Sequence, residues 1–230
     1  MLRAQGKLSE SEALYREALA ISAQATNKSR TYAIMSNLGI LLETQGRLGE
    51  AEVLVRASLE AGRATLGSTH PDSLSDMCNL GLILKGQGRL KEAELLYREA
   101  LEAMRVVLGA QHPSTLTVTQ NLAALLFCAG KPKEAEAQYC DVVTSYRATL
   151  GSQHPDTLTS LHNLGEVLEN QGRLGEAEAL LSEALAARWR VLGRAHPYTK
   201  ASYSSLLRVL AAQGKARDVR DVKAQYGERT

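Results

Sequence analysis

Apolar residues along this chain recur at the three- and four-residue steps that place side chains on one face of an α-helix. Between residues 156 and 170, the leucines at this spacing are Leu158, Leu161, Leu164 and Leu168. The periodicity breaks at a Gln-Gly pair, and a second apolar stripe follows from Leu174. The pattern therefore predicts two amphipathic helices joined by a short turn.

This predicted helix pair repeats with a period of 42 residues. An Asn-Leu pair marks the first helix of each unit, called helix A, and its asparagines are Asn37, Asn79, Asn121 and Asn163. A glycine marks the turn before the second helix, called helix B, at Gly46, Gly88, Gly130, Gly172 and Gly214. Self-similarity at a fixed period is the signature of stacked supersecondary units, so the sequence predicts an all-α repeat array.

The period divides residues 1–230 into one predicted array. Its parts are a helix B without its own helix A at 1–29, repeat 1 at 30–69, repeat 2 at 70–111, repeat 3 at 112–153, repeat 4 at 154–195, and repeat 5 with a C-terminal cap at 196–230. The cap segment is highly charged, as the outer face of a terminal repeat requires. The first helix B lacks a partner on one side, so we expect a longer parent chain or end-to-end association through this uncapped N-terminal helix.

Four of the five histidines occupy one slot in the turn between units, at His70, His112, His154 and His196. Each precedes a proline, which suits the first helical position because its missing N–H would be unpaired there. Each follows a Leu-Gly pair, which is typical of a helix end. We interpret the histidines as N-caps. The alternative is a metal site, but packed helices lie about 8–10 Å apart, too far for two histidines to share a zinc ion with ligands at about 2.0–2.1 Å.

The spacing of small and large residues distinguishes the possible arrays. A WD40 array does not fit the helical periodicity, whereas HEAT and tetratricopeptide arrays both consist of helix pairs. Here the glycine of a Leu-Gly pair is followed by an alanine after twelve residues, by a large residue after four more, and by a small residue after three more. One example is Gly81, Ala93, Tyr97 and Ala100. The small residues allow helices A and B to approach, and the large residue fills the gap beside them.

The unit NLGxxLxxQGRLxEAExLxxEAL, followed by LGxxHPxT, resembles the tetratricopeptide repeats of kinesin light chain. Similar long repeats accompany nucleotide-binding signalling ATPases of the NB-ARC type. The resemblance covers nearly the whole chain and implies an all-α, right-handed superhelical solenoid of antiparallel helix pairs. These 230 residues contain neither the heptad coiled coil of kinesin light chain nor the P-loop GxxxxGK[ST] of an ATPase.

The resemblance implies that a peptide binds in the concave groove lined by helices A. In the kinesin light chain family, asparagines at the slot of Asn37, Asn79, Asn121 and Asn163 hold the backbone of an extended peptide. An amide suits this role because it both donates and accepts hydrogen bonds. An extended peptide advances about 3.3 Å per residue, so asparagines about 10 Å apart would meet roughly every third residue. The alternative is that these amides bridge adjacent helices A.

Further positions on the same face are predicted to set specificity, and they are Cys78, Gln120, His162, Leu82, Lys85, Phe127, Glu166 and Arg208. The middle of this row is apolar around Leu82 and Phe127, and its C-terminal part carries Glu166. An acidic peptide, which the resemblance suggests, would need basic partners, and the candidates are Lys85 and Arg208. For Phe127, simple packing is the alternative.

Composition narrows the function classes. The net charge is +2 without a basic cluster, so we expect no nucleic-acid partner. Apolar runs are shorter than the roughly 20 residues that span a bilayer, and MLRAQGKLSE lacks the apolar region of a signal peptide, so we expect no membrane association. Cysteines at 78, 128 and 140 follow neither a metal spacing nor a pairing pattern, which predicts a reducing, cytoplasmic location. No cofactor is predicted.

Together these patterns predict a non-catalytic scaffold that binds an extended peptide segment of a partner protein, as a kinesin light chain-like cargo adaptor. The alternative is the sensor or regulatory array of an NB-ARC-type signalling ATPase. An enzyme would need a nucleophile–base pair or paired carboxylates in one pocket. His162 and Glu166, four residues apart on one helix face, come nearest to this, but such pairs are frequent on helix surfaces.

Overall fold

The computed structural model describes residues 7–23 and 29–227, and in these ranges the chain is α-helical without β-strands. The described helices are α1 Leu8–Ala23, α2 Ser29–Thr44, α3 Leu48–Thr65, α4 Pro71–Gly86, α5 Leu90–Val107, α6 Pro113–Cys128, α7 Pro132–Thr149, α8 Pro155–Asn170, α9 Leu174–Leu192, α10 Pro197–Ala212 and α11 Ala216–Tyr226. The even-numbered helices are the predicted helices A, and the odd-numbered ones are the helices B. The predicted all-α class is confirmed. An earlier glycine, Gly6, stands 40 residues before Gly46, so the first connection is two residues shorter than the 42-residue period. Gly6 and the connection at 24–28 lie outside the described residues.

The chain divides into two compact units, residues 1–121 and residues 122–230, with the boundary inside α6. In the first unit, each helix from α1 to α5 packs against the next, and α2 also contacts α4. In the second unit, α7 to α11 pack in the same succession, and α8 contacts α10. Within each unit, a helix A therefore contacts both neighbouring helices B and another helix A.

The predicted alternation of small and large residues forms the core between helices A and B. A β-carbon added at Gly81 would lie 3.0 Å from Cζ of Tyr97, and one added at Gly165 would lie 2.8 Å from Cγ of Leu181. Tyr97 and Leu181 are fully buried. Glycine at these two slots thus allows the close approach of α4 to α5 and of α8 to α9, as the spacing predicted.

The turn histidines cap helices A. Nδ1 of His70 accepts a hydrogen bond from the backbone N–H of Asp72 at 3.2 Å, and His112, His154 and His196 make the same bond two residues ahead. An oxygen or nitrogen acceptor at this place satisfies one of the unpaired N–H groups of the first helical turn. Because Nδ1 accepts, the neutral ring carries its proton on Nε2. The predicted capping role is confirmed.

Glycines end the helices at both kinds of turn. Gly88, between α4 and α5, has φ 77°, and Gly109, between α5 and α6, has φ 91°. Both values lie in the left-handed region, which costs glycine little and other residues much more. The two glycine slots seen in the sequence therefore correspond to the two turns of each repeat.

Candidate functional site

The predicted asparagine row lies on helices A, with Asn37 on α2, Asn79 on α4, Asn121 on α6 and Asn163 on α8. Asn37 is exposed and the other three are half-buried. The first three belong to one compact unit, and Asn163 belongs to the other. We call the surface that these helices present within each unit the A-helix face.

Asn79 and Asn121 line one cleft with a volume of about 390 Å³, called here the Met104 cleft. Its wall includes Cys78, Met104 and Val118. Burial raises the pKa of the Cys78 thiol to about 12, so this predicted site residue is a protonated, weakly polar wall group and not a nucleophile. Two asparagines one repeat apart thus border a single cleft of mixed polarity.

A neighbouring cleft of about 170 Å³, called here the Gly62 cleft, is lined by Asn37, Asn79, Gly62 and Asp76. Nδ2 of Asn79 donates a hydrogen bond to Oγ of Ser36 at 3.1 Å, which joins α4 to α2. Oδ1 of Asn79 accepts no hydrogen bond from the described residues. Asn79 therefore combines the two roles weighed from the sequence, because its amide bridges two helices A and keeps an acceptor at the cleft.

Asp76 is an unexpected carboxylate at the base of the Gly62 cleft, where it is 6% exposed. Oγ of Ser58 lies 2.6 Å from its Oδ2 and 2.9 Å from the carbonyl oxygen of Tyr32. A hydroxyl has one hydrogen to donate, so Ser58 serves only one of these acceptors at a time. Burial raises the pKa of Asp76, and hydrogen bonds from Ser36 and Ser58 oppose that increase only in part.

In the second unit, the asparagine of the row has a structural partner. The amide of Asn163 hydrogen-bonds the hydroxyl of Tyr139 on α7. Burial raises the pKa of Tyr139, and this hydrogen bond lowers it by a smaller amount. Asn163 therefore connects helix A to the preceding helix B, which is a different arrangement from that of Asn79.

Three of the predicted specificity residues meet in the second unit. Phe127, Glu166 and Arg208 line a cleft of about 380 Å³ together with Glu169, called here the Phe127 cleft. Arg208 binds both carboxylate oxygens of Glu169, at 2.6 and 2.7 Å, and lies 3.5 Å from Glu166. Its hydrogen bonds with Glu169 raise the pKa of Arg208. The positive charge predicted for an acidic ligand is therefore already paired with carboxylates of the chain.

His162 differs from its prediction as a groove residue, because it is 8% exposed. Its Nδ1 lies 3.4 Å from Oγ of Ser202, and its Nε2 lies 3.6 Å from Glu166. Burial lowers the pKa of His162, against the opposing effect of Glu166. Periodicity places this residue on the correct helix face, but the neighbouring helix α10 covers it.

A buried arginine lies beside His162. Arg188 is 2% exposed, and its guanidinium donates to Ser202 Oγ at 2.7 Å, to the carbonyl oxygen of Tyr198 at 3.1 Å and to Thr159 Oγ1 at 3.1 Å. All three acceptors are neutral. Burial lowers the pKa of Arg188 to about 10. This cation occupies the space between two helices A, and no carboxylate of the described residues forms an ion pair with it.

The remaining predicted residues are half-buried on helices A. They are Leu82 and Lys85 on α4 and Gln120 on α6. None of the three lines the Met104 cleft, the Gly62 cleft or the Phe127 cleft. Their predicted part in specificity stays a prediction.

A repeated ion-pair motif, not predicted from the sequence, connects the three Gln-Gly-Arg turns and the Gln-Gly-Lys turn at Lys215 to the preceding helix B. Nη1 of Arg89 lies 2.8 Å from Glu52, and its Nη2 lies 2.6 Å from Glu92. Nε2 of Gln87 donates to Glu52 at 2.9 Å. The same arrangement recurs at Arg47 with Glu12, Arg173 with Glu136, and Lys215 with Glu178.

The signal of this motif in the sequence is a glutamate far upstream of each basic residue. The separation is 37 positions at Arg89, Arg173 and Lys215, and 35 positions at Arg47. The shorter value matches the first connection, where the spacing between the turn glycines is also two residues shorter. These separations are much longer than a helical turn, so helical periodicity does not reveal them.

These ion pairs predict a dependence of stability on acid. Burial by itself raises the pKa of Glu52, but hydrogen bonds from Arg56, Gln87 and Arg89 outweigh it and lower the pKa from 4.5 to about 2. A carboxylate with a lowered folded-state pKa stabilises the fold above its unfolded pKa, and that contribution disappears as the pH falls through the folded pKa. We expect Glu52→Gln to lower the free energy of unfolding by on the order of 1 kcal/mol at neutral pH, because water screens partly exposed pairs.

The measurement is urea unfolding as a function of pH, with Glu60→Gln as control at an exposed position of the same helix. The Glu52 variant should lose less stability than the wild type between pH 4.5 and about 2, the window set by the two pKa values. Equal acid sensitivity of the wild type and both variants would contradict the role of Glu52.

Neither a metal centre nor a membrane-spanning helix is present in the described ranges 7–23 and 29–227. No three His, Cys, Asp or Glu side chains there are grouped to hold a metal ion. None of the helices in those ranges is both long and apolar enough to traverse a bilayer.

Comparison with known proteins agrees with this architecture. A family model described as tetratricopeptide repeat matches residues 1–64, 30–105 and 96–148, and a second model of the same description matches residues 157–198. No curated protein matches the sequence significantly.

Several solved structures are similar. A protein of Podosopora anserina assigned as a kinesin light chain, with nearly identical TPR-like repeats, is 27% identical with a TM-score of 0.76, over 88% of this chain and 95% of that one. A point variant of that protein is 26% identical with a TM-score of 0.77, over the same shares. BtubC (BKLC) from P. vanneervenii is 20% identical with a TM-score of 0.76, over 96% of this chain and 87% of that one, and at this identity it supports the fold alone.

Proposed function

Because the chain belongs to the tetratricopeptide repeat family, we propose that it is a non-catalytic scaffold that binds an extended segment of a partner protein along the A-helix face. The resemblance to repeats of the kinesin light chain type is confirmed, and repeats of this family generally mediate protein–protein interactions. The proposal goes beyond this general role in two respects, the extended peptide ligand and the function as a cargo adaptor.

The observation that carries the proposal is the sharing of clefts by asparagines one repeat apart. Asn37 and Asn79 border the Gly62 cleft, and Asn79 and Asn121 border the Met104 cleft. A peptide that crosses both clefts would meet three amides in succession. Each amide can accept from a peptide N–H or donate to a peptide C=O whatever the side chains are. The Gly62 cleft and the Met104 cleft would then select among the side chains of the bound peptide.

Within this function, two biological settings differ in their partners. A kinesin light chain-like cargo adaptor would bind segments of many cargo proteins, and we favour it because the solved kinesin light chain repeats match this chain over 88% of its length. The alternative is a sensor or regulatory array of an NB-ARC-type signalling ATPase. A heptad coiled coil in the parent chain would support the first setting, and a P-loop would support the second.

The test is a selection of short peptides from a random display library on the purified chain. The affinity of the selected peptides is then measured for the wild type and for an Asn79→Ala/Asn121→Ala double variant. With one hydrogen bond from each asparagine and a net contribution of about 0.5–1.5 kcal/mol for each bond, the predicted loss of affinity is roughly 5- to 150-fold. Circular dichroism checks that both proteins have equal helicity.

A matched control removes two amides elsewhere. Gln111 and Gln153 are exposed in the turns before α6 and α8, so Gln111→Ala/Gln153→Ala should leave peptide affinity unchanged. If the Asn double variant binds the selected peptides as tightly as this control does, peptide binding by the asparagine row is wrong.

A further inference from the structure

We propose that the Gly62 cleft binds a guanidinium group, the arginine side chain of an extended peptide segment. This inference rests on the proposed function, because the arginine would belong to a segment bound on the A-helix face. It assigns a basic residue to the ligand, the opposite of the acidic preference suggested by the resemblance to kinesin light chain. The assignment draws on the space at Gly62, on an internal counterpart of the ligand and on the polar groups that surround the cleft.

The Gly62 cleft is open because Gly62 has no side chain, whereas later repeats carry a large buried side chain at the homologous position. The residues at the same slot of the 42-residue period are Met104, Tyr146 and Arg188, and all three side chains are buried. At Gly62 the corresponding volume is the open cleft of about 170 Å³. Since one water molecule occupies about 30 Å³ in the liquid, the cleft accommodates a group of several heavy atoms.

The chain itself shows what fits this space, because Arg188 stands three repeats after Gly62. Its guanidinium lies between two helices A and donates to Ser202 at 2.7 Å and to Thr159 at 3.1 Å. Ser202 stands three repeats after Asp76. A ligand guanidinium that takes the position of the Arg188 guanidinium, moved back by three repeats into the Gly62 cleft, would therefore face Asp76.

The Gly62 cleft carries a negative charge that the hydrogen-bond acceptors of Arg188 lack, and this charge favours a guanidinium ligand. Where Arg188 meets the neutral hydroxyl of Ser202, the Gly62 cleft presents the carboxylate of Asp76. No lysine or arginine of the described part of the chain lines this cleft, whereas Asp72 stands at its rim. Arginine binds a carboxylate through two parallel hydrogen bonds more strongly than it binds a neutral acceptor.

A second polar group next to the cleft has no partner. Oγ of Ser73 is fully buried and forms no hydrogen bond with the described residues. It lies 3.1 Å from the position that a β-carbon on Gly62 would take. Thr199 stands at the same slot three repeats later, and its Oγ1 is likewise buried without a hydrogen bond from the described residues although Arg188 is nearby. The assignment of the cleft therefore rests on Asp76 and not on Ser73.

The experiment compares two short peptides that differ in charge but not in shape. They are acetyl-Ser-Thr-Arg-Thr-Ser-amide and the same peptide with citrulline in place of arginine. Binding is followed by NMR titration of the backbone amide signals of the wild-type chain. We expect the arginine peptide to bind at least about tenfold more tightly than the citrulline peptide, with the largest shifts at Gly62, Asp76 and Asn79.

Two variants locate the preference in the cleft. Asp76→Asn keeps the shape and removes the charge, so the ratio of the two affinities should fall to about one. Gly62→Met introduces the side chain that the next repeat carries at this slot, and it should abolish the preference by filling the cleft. Asp72→Asn is the control at the exposed rim, and it should change the ratio by no more than about threefold.

The outcomes separate this inference from the proposed function. The citrulline peptide measures binding through the backbone, and the ratio of affinities measures the cleft. Equal affinity of both peptides for the wild type, or a preference for arginine that survives Asp76→Asn, would overturn the assignment of the cleft alone. Failure of the arginine peptide to bind at about 10 mM would also overturn it. The proposed function is refuted separately, by selected peptides that do not depend on Asn79 and Asn121.

Discussion

Replacing Tyr97 by alanine will lower the free energy of unfolding by about 3–5 kcal/mol, the range for deletion of a buried aromatic side chain. The Tyr97 side chain is 0% exposed. Its ring lies against the helix backbone at Gly81, where an added β-carbon would stand 3.0 Å from Cζ. Neighbouring backbone cannot collapse into the vacated volume without moving α4 relative to α5. The cost therefore combines lost apolar burial with a residual cavity.

The phenylalanine variant isolates the hydroxyl of the same residue. The Tyr97 hydroxyl is buried and has no hydrogen-bond partner among the described residues. Burying an unpaired hydroxyl is unfavourable, so we expect Tyr97→Phe to be as stable as the wild type or more stable by up to about 1 kcal/mol. A loss of stability in this variant would show that the hydroxyl has a partner that contributes to the fold.

Urea unfolding followed by circular dichroism measures both effects. Leu95→Ala is the matched control, because Leu95 lies on the same helix and is 69% exposed, and it should change stability by less than about 0.5 kcal/mol. Repeat arrays can unfold in parts, so amide hydrogen exchange in α4 and α5 should report the loss locally. A cost for Tyr97→Ala below that of an ordinary surface substitution would contradict the packing described at Gly81.

Substitutions of Arg188 have the second large expected effect on the free energy of unfolding, and the direction of the change depends on the residue that replaces it. Arg188→Ala removes a long buried side chain and should cost about 2–5 kcal/mol, as other large-to-alanine changes in cores do. Arg188→Met keeps most of the volume and removes a cation whose hydrogen-bond acceptors, in the described part of the chain, are all neutral. Replacing buried charge by apolar groups of similar volume is often neutral or stabilising. We therefore expect the free energy of unfolding of Arg188→Met to equal that of the wild type or to exceed it by up to about 1 kcal/mol.

The same chain supports this choice, because methionine occupies the homologous slot at Met104 and is buried there. In the Met variant, Ser202 can still bond Nδ1 of His162, which lies 3.4 Å away. Thermal and urea unfolding of the three proteins at one pH make the comparison. A Met variant as unstable as the Ala variant would show that the hydrogen bonds of the guanidinium, and not its packing volume, stabilise this region.

The ion pairs at the Gln-Gly-Arg turns show a limit of prediction from the sequence. Glu52 and Arg89 are 37 positions apart, and neither lies on an apolar stripe that periodicity detects. Their meeting depends on the angle and separation at which α3 and the turn before α5 pack. The repetition of the spacing makes the pairing recognisable once one copy has been seen in three dimensions.

The asparagine row shows the same limit at the candidate site. Its members were identified on helices A, and the structure places three of them at two adjoining clefts. Asn79 and Asn163 have different neighbours, Ser36 and Tyr139, although both residues occupy one slot of the repeat. The partner of each amide depends on which side chains the adjacent helices bring within about 3 Å, and these side chains vary from repeat to repeat.

The sequence by itself determined the features that are local to a helix or a turn. These are the helices, the glycine turns and the histidine caps, because each depends on residues within about one or two helical turns. The contact of small with large residues joins helices A and B across 16 positions, and the regular repetition of its spacing made it predictable. Only the tertiary structure decided the burial of His162, the enclosure of Arg188 among neutral hydrogen-bond acceptors, and the open cleft between Gly62 and Asp76. Each of these depends on contacts between helices that are distant in the chain, where one missing or altered side chain changes what its neighbours contact.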